Sequence, residues 1–487
     1  MWPFRANRKA RSSLPVMLRA SYDAAVTNDD NRRHWASADA LSANAASRPE
    51  VRRLLRNRSR YEVANNSYAR GIVLTLANDV ISTGPRLQML LGDAEDDGLN
   101  GLIEREFIAW AKAVDLPGKL RTMRMARAQD GEAFALLHSN PKLVSAVQLD
   151  LKLVEADQVT TPMFSLPTST LVDGVVLDEF GNPLAYHVLD YHPGEFMSTT
   201  PLKYSVIPAA SMIHWFRKDR AGQARGLPDI MPALPLFAQL RRYTLAVIAA
   251  AETAADFAAV LFTDSPANGE AQTLEPMDVV GLEKRMATVL PDGWRLGQLE
   301  AQQPTTTYDM FKREILNEIA RCLNMPYNIA ACNSSGYNYS SGRLDHQTYY
   351  KAIRVEQAQC EAVVLDHILD AWMAEAVKAY PELAGLEEWP HQWFWDGHEH
   401  VDPQKEASAQ ETRLRNNTTT LATEYARQGK DWETELRQRA KEAALMKELG
   451  LTPAQVAPQQ NKQPSQQDTK PQDERANGDE QDQSDAA

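Results

Sequence analysis

Apolar positions along this chain organise first into helices. Tyr68, Ile72, Leu76 and Val80, with Asp79 among them, recur at helical spacing, and Gly84-Pro85 stops the run. A second helix is expected over about Gly98–Ala113, with Leu102, Phe107 and Trp110 on its buried side, and a third over about Leu120–Gly131. The period then shortens to that of strands: Ala133–Ser139, Ala146–Leu149, Gly174–Leu177, Ala185–Leu189 and Ile213–Phe216. Asp173-Gly174 and Gly181-Asn182-Pro183 supply turns. The pattern as a whole predicts a helix-rich α+β protein.

The most informative stretch is Gly222-Gln223-Ala224-Arg225-Gly226-Leu227-Pro228 together with the alanine-rich segment after it. From Asp229 the pattern is helical to about Ala259, which is roughly 46 Å of helix. Gly226 and Pro228 mark its start. Ala246–Ala259 is mostly alanine, interrupted by Glu252 and Asp256, two acids that a membrane span tolerates poorly. A small-residue face of this kind suits close packing against copies of the same helix. Ala250 and Ala254 are therefore the candidate subunit contacts. Arg241 and Arg242 read as an intersubunit or solvent-facing pair rather than a phosphate contact.

Beyond it, Val260–Phe262, Met277–Gly281 and Trp294–Leu299 are short and extended, with a polar loop at Asp264–Thr273. Gln302-Gln303-Pro304-Thr305-Thr306-Thr307 breaks the pattern before a helix from Tyr308 to Leu323. A loop at Asn333–Asn338 precedes the longest helical signal, about Gly342–Ala379, and a further pair covers about Pro403–Gly429 and Asp431–Leu449. After Thr452 the chain is Gln, Pro, Asp and Glu with almost no large apolar residue, a composition expected to be disordered. No internal repeat is evident.

Composition refines this. The 487 residues are enough for more than one domain. The net charge of −13 is uneven: residues 1–60 carry 13 basic and 5 acidic side chains (+8), and residues 453–487 carry 3 basic and 7 acidic (−4), leaving about −17 between them. Such a body does not coat DNA, because coating requires Lys and Arg to displace phosphate counterions. The basic first 60 residues read either as a solvated arm with one or two helices or as a clamp on a neighbouring subunit or nucleic acid. Three cysteines, Cys322, Cys332 and Cys360, suggest a reducing compartment. With no signal-peptide core and no membrane span, synthesis is expected in the cytoplasm.

Motifs for chemistry are sparse. There is no Walker A loop, no G-x-S-x-G elbow and no cysteine pair with zinc-finger spacing. The one metal-like run is Asp396-Gly397-His398-Glu399-His400-Val401-Asp402, where His398 and His400 would share a face on a strand; the plainer reading is a polar loop in which Asp402 caps a helix. His187, His192 and His214 read as structural, and Trp389, Trp393, Phe394 and Trp395 as packing rather than base-stacking residues.

Several segments stand out in a set order. They are Asn65-Asn66-Ser67-Tyr68-Ala69 with Ile72 and Asp79; Gly131-Glu132-Ala133-Phe134; Gln148 with Glu155-Ala156-Asp157-Gln158; and Gly181, Pro183 and Ala185-Tyr186-His187-Val188. The sharpest is Gln223-Ala224-Arg225-Gly226-Leu227-Pro228, followed by Tyr339-Ser340-Ser341-Gly342-Arg343 and by Asp402-Pro403 with Lys405-Glu406 and Ala409. In this order they resemble the portal proteins of lambda-like tailed bacteriophages, and the resemblance spans about 60–450. It implies a portal fold of wing, stem, clip and crown, assembled into a ring of usually twelve subunits at one vertex of the virion. That ring would pass double-stranded DNA without sequence specificity, dock terminase, capsid and head-completion proteins, and have neither enzyme activity nor a cofactor. By the same analogy 1–60 is a basic arm, 61–226 the wing, 227–300 stem helices and clip, 301–380 a candidate tunnel loop with long wing helices, 381–452 the crown and 453–487 the acidic tail. Gln302, Gln303, Thr305, Thr306 and Thr307 would face the channel. A metal-dependent hydrolase centred on His398 and His400, and a scaffolding protein that forms no ring, remain the alternatives.

Overall fold

The computed structural model describes residues 29, 32–92, 97–161, 170–195, 203–256, 260–263, 294–297, 307–397, 403–428, 430 and 432–450. The predicted segments Asp264–Thr273, Met277–Gly281 and the tail after Thr452 lie outside them, as do Gln302, Gln303, Thr305, Thr306, His398, His400 and Asp402.

A short α1 (Ala43–Ala46), capped by the Ser42 hydroxyl, leads into α2 (Pro49–Asn65), whose proline occupies the first turn where an N–H is not needed. Asn66 caps α3 (Ser67–Ile81) by accepting the Tyr68 and Ala69 N–H groups, and the apolar residues Ile72, Leu76 and Val80 at helical spacing are buried. Next come β1 (Arg86–Met89), α4 (Asp97–Ala113) and α5 (Leu116–Asp130), the last ended by Gly131 at φ 93°, where a left-handed backbone favours glycine. Then follow β2 (Glu132–Ser139), β3 (Leu149–Val154), β4 (Leu171–Val172), β5 (Val175–Leu177), β6 (Pro183–Leu189), β7 (Tyr204–Pro208) and β8 (Met212–Phe216). Among the described residues they form two antiparallel sheets, β3-β2-β8 and β4-β5-β6-β7.

A 3₁₀ turn, Met231–Ala233, opens α6 (Leu234–Asp256). The helix expected from Asp229 starts later because this 3₁₀ turn, which contains Pro232, intervenes; Pro235 falls in the first turn of α6, where no N–H is needed. β9 (Val260–Thr263) pairs with β10 (Trp294–Gly297). α7 (Thr307–Arg321) and α8 (Tyr327–Ala330) precede α9 (Tyr339–Cys360), which an Asn338/Ser341 capping box begins. One π-helical turn, Glu361–Leu365, joins α9 to α10 (Asp366–Ala379), and β11 (His391–Phe394) pairs with β1 far back in the chain. A second compact unit, Gln404–Tyr425 and the chain from Lys430, holds most of α11 (Pro403–Arg415), α12 (Leu421–Arg427) and α13 (Trp432–Glu448). Within it Arg413 bridges Glu406 (2.8 Å) and Glu424 (2.9 Å).

The helix-rich α+β class expected from the pattern is what the chain adopts. The strand expected at Ala146–Leu149 instead runs Leu149–Val154, where Leu149 and Leu151 alternate with the less buried Asp150 and Lys152. The main core joins α3, α4, α5, α7, α9 and α10 to the β3-β2-β8 sheet, around the buried Trp110, Trp215 and Trp372. A smaller core lies between the two sheets and holds Phe134, Val159, Val175, Tyr186 and Val188. The late tryptophans are packing residues: Trp389, Trp393 and Trp395 donate their indole N–H groups to Asp370 (2.9 Å), Asp366 (2.9 Å) and Glu361 (2.5 Å).

Candidate functional site

The Gln223–Pro228 loop is built around one carboxylate. Glu132, the first residue of β2, is fully buried and accepts Arg225 Nε (2.8 Å) and Nη2 (2.7 Å), His214 Nε2 (3.0 Å), the Gly226 N–H (3.1 Å) and Arg56 Nη1 (3.3 Å). Burial alone would raise its pKa, but Arg225 and His214 hold it well below the ordinary carboxylate range. Arg225 meets the same burial, which disfavours its charge; Glu132 and Asp173 more than offset it and raise its pKa. Its remaining donors reach the carbonyls of Val159 (2.9 Å), Ala156 (3.2 Å) and Asp173, and the guanidinium lies 5.3 Å from the Phe134 ring centroid. A lysine has too few donors, and no planar fork, to make these contacts together.

The loop's backbone is fixed as closely. The Gln223 side chain donates to the Arg225 carbonyl (2.8 Å) and accepts the Asp219 (3.0 Å) and Arg220 (3.2 Å) N–H groups. Asn44 brackets the loop, donating to the Gly222 carbonyl (2.9 Å) and accepting the Ala224 N–H (3.0 Å). A Cβ on Gly226 would collide with the Gly131 carbonyl, and one on Gly131 with the Leu227 backbone. Just past Pro228, the buried Asp229 pairs with Arg124 (3.0 Å) and Arg217 (3.1 Å). The entry to α6 is therefore held by two buried ionic clusters and one glycine–glycine contact.

α6 itself leaves the core partway along. Leu234, Phe237 and Leu240 are buried, and Tyr243 packs on Tyr308 (5.6 Å) and Phe311 (4.8 Å) of α7. Beyond that, Leu245 and Ile248 are 58% and 47% exposed. Ala250 is half-buried, and Ala254 belongs to the same helix. Arg241 lies over the Tyr61 ring (5.7 Å), so it has a partner within its own chain, whereas Arg242 is exposed. Tyr68 lies under Lys312 (5.2 Å), Thr307 is the first residue of α7, and Pro403 the first of α11.

Sequence patterns alone do not reveal the partners of this cluster. Arg52 and Arg56, which composition assigns to a basic arm, are buried on α2, paired with Asp173, and with Glu132 and Asp157. The available signal was Glu132 itself, a lone charge opening the apolar run Ala133–Leu137. Among the described residues, Glu155, Asp157 and His192 also come within 4.8 Å of one another with metal-ligand atoms. They do not suit a cation. Asp157 already holds Arg56 (2.9 Å) and Arg60 (2.8 Å), and His192 Nδ1 accepts the Gly194 N–H (3.0 Å), which puts the ring proton on Nε2, towards the carboxylates.

Residues 29–357 match the family described as phage portal protein, lambda family. A probable portal protein of Halomonas phage phiHAP-1 (isolate -/Gulf of Mexico/-/2001) is 25% identical over 432 residues, covering 82% of this chain and 81% of that protein. Similar solved structures include a chain in the neck of an empty GTA particle computed with C6 symmetry (12% identity, TM-score 0.47, 76% of this chain and 92% of that one). Another is an HK97 family phage portal protein from Corynebacterium diphtheriae (11% identity, TM-score 0.29, 72% and 96%). On the family match, which takes in the Glu132–Arg225 cluster and the whole of α6, this chain belongs to the lambda family of phage portal proteins.

Proposed function

We propose that the chain closes into a ring, of twelve subunits, at one vertex of the phage head. There it forms the channel for DNA packaging and ejection and the docking site for terminase, capsid and head-completion proteins. Family membership across residues 29–357 carries this reading. The family is structural rather than enzymatic, and nothing favours a hydrolase at His398 and His400. The long, partly apolar, exposed half of α6 supports its use as the stem at the subunit contact, since closed rings need a face that meets a different face of the next copy. On this reading 61–226 is wing, 227–300 stem and clip, 301–380 tunnel loop and long wing helices, and 381–452 crown. The acidic body, about −17 between residues 61 and 452, suits a passage through which DNA slides without sticking. Synthesis in the host cytoplasm and residence in the virion accord with the same role.

Negative-stain imaging and native mass spectrometry of the purified chain test it. Closed rings of about twelve copies are expected; a stable monomer at micromolar concentration overturns the reading. Within a ring, Gln302–Thr307 is assigned to the tunnel lining. Inserting several lysines there is expected to leave ring mass unchanged and to reduce packaging in a salt-sensitive way, through added phosphate contacts. Normal packaging with the lysines in place removes that assignment and leaves the portal reading intact.

A further inference from the structure

Helix α2 is built inside out. Its inward face carries Arg52, Arg56, Ser59 and Glu62, all buried, with Leu55 and Val63 only partly covered. Its outward face carries Val51, Leu54, Arg58 and Tyr61, spaced three, four and three residues apart and so forming one stripe along the helix. Leu54 is 50% and Tyr61 55% exposed. An ordinary surface helix places its apolar stripe on the core and its charges in water. Here the inward charges are consumed by Glu132, Asp173 and Asp157, so the core does not account for the apolar stripe.

Two further observations say what covers it. Arg48, Arg53 and Arg58, exposed on the same helix or at its cap, have no side-chain partner among the described residues. With Glu50 the one exposed acid on the helix, its outward face is apolar with a net positive charge, whereas the body of the same chain is strongly acidic. The stripe also continues into the stem surface, because Tyr61 at its end holds Arg241 of α6 (5.7 Å to the ring centroid). We infer that the Val51–Tyr61 stripe is a second subunit contact, seated on an acidic, apolar-bearing face of a second copy of this chain. This inference rests on the ring reading and adds a contact to it: Arg52 and Arg56, which share Asp173 and Glu132 with Arg225 of the Gly222–Pro228 loop, would also fix the orientation of a helix reaching the next subunit.

The test uses the full-length chain. Benzoylphenylalanine at position 54, irradiated in assembled rings, is expected to give a covalent product with the mass of two chains. Leu54→Glu combined with Arg58→Glu is expected to raise the concentration for half-assembly by roughly tenfold or more, since each removes a favourable contact from every interface. Both positions are exposed, so the variant should melt with the wild type as a monomer. A photoproduct confined to one chain, or formed only with added duplex DNA, overturns the inference. So does normal assembly of the double variant, and that outcome leaves the ring standing as long as α6 variants still disrupt it. Failure of the wild type to form rings removes the ring reading and this contact with it.

Discussion

Glu132→Ala is expected to be among the most destabilising single changes in the protein. It removes the carboxylate that Arg225 and Arg56, both buried, share, leaving Arg225 with Asp173 and Arg56 with Asp157 as their remaining acidic partners. Breaking a buried pair by removing one partner typically costs about 3–5 kcal/mol, a large share of the roughly 5–15 kcal/mol that holds a domain folded. Differential scanning calorimetry should show a fall in Tm of about 6–20 °C at 2–4 °C per kcal/mol. A shift within about 2 °C would mean the cluster relaxes into water on loss of the carboxylate. Pairing the change with Arg225→Met should recover part of the loss, because a buried ion pair can often be replaced by apolar groups of similar volume. Recovery would separate stranded charge from lost packing.

The same cluster sets a pH dependence whose sign is fixed. Glu132 has its pKa depressed in the folded chain, so its stabilisation is fully present above the unfolded carboxylate value of about 4.5 and is lost as pH falls through the lower folded value. His214, whose burial depresses its pKa, adds a loss that begins as pH falls below about 6.5. Wild-type stability should therefore decline in two stages on acidification, and Glu132→Ala should flatten the lower one.

The parts of this architecture that were legible in the sequence are those set by local periodicity. The apolar spacing in α3, the continuous apolar run of β2 and the presence of α6, though not its start, each declare an element within a short window. Gly226 could be flagged as a start signal, but its physical reason, the Gly131 carbonyl against it, lies 95 residues away in sequence and is invisible to any window. The same holds for Glu132 with Arg225, and for β1 with β11. Arginine was the most misleading residue type. Read by composition, Arg52 and Arg56 belong to water; in the fold their partners on β2 and in the loop before β5 take them inside. The inverted amphipathicity of α2 follows from that, and only the contacts reveal it.

Leu245→Glu and Ile248→Glu on α6 are expected to abolish ring closure while leaving the subunit folded. Phe237 and Leu240 already anchor the helix, and the two substituted side chains lie beyond them, about half exposed. Changes at exposed helical positions usually alter monomer stability by less than about 0.5 kcal/mol. At a subunit contact the balance differs. Fully burying a leucine or isoleucine contributes about 1.5–3 kcal/mol, and a glutamate in its place removes that and brings an unpaired carboxylate into the interface. Because every subunit of a closed ring makes the contact, the loss recurs at each interface, so even the lower figure separates rings from monomers. Ala250→Trp tests the same face by bulk instead of charge, at about 1–3 kcal/mol of overpacking per interface. Native mass spectrometry should show the ring peak replaced by monomer in the glutamate variants and weakened with Ala250→Trp, with circular dichroism melts of the monomer unchanged. Undiminished rings in all three variants would exclude this half of α6 from the subunit contact and move the interface to another face of the protein.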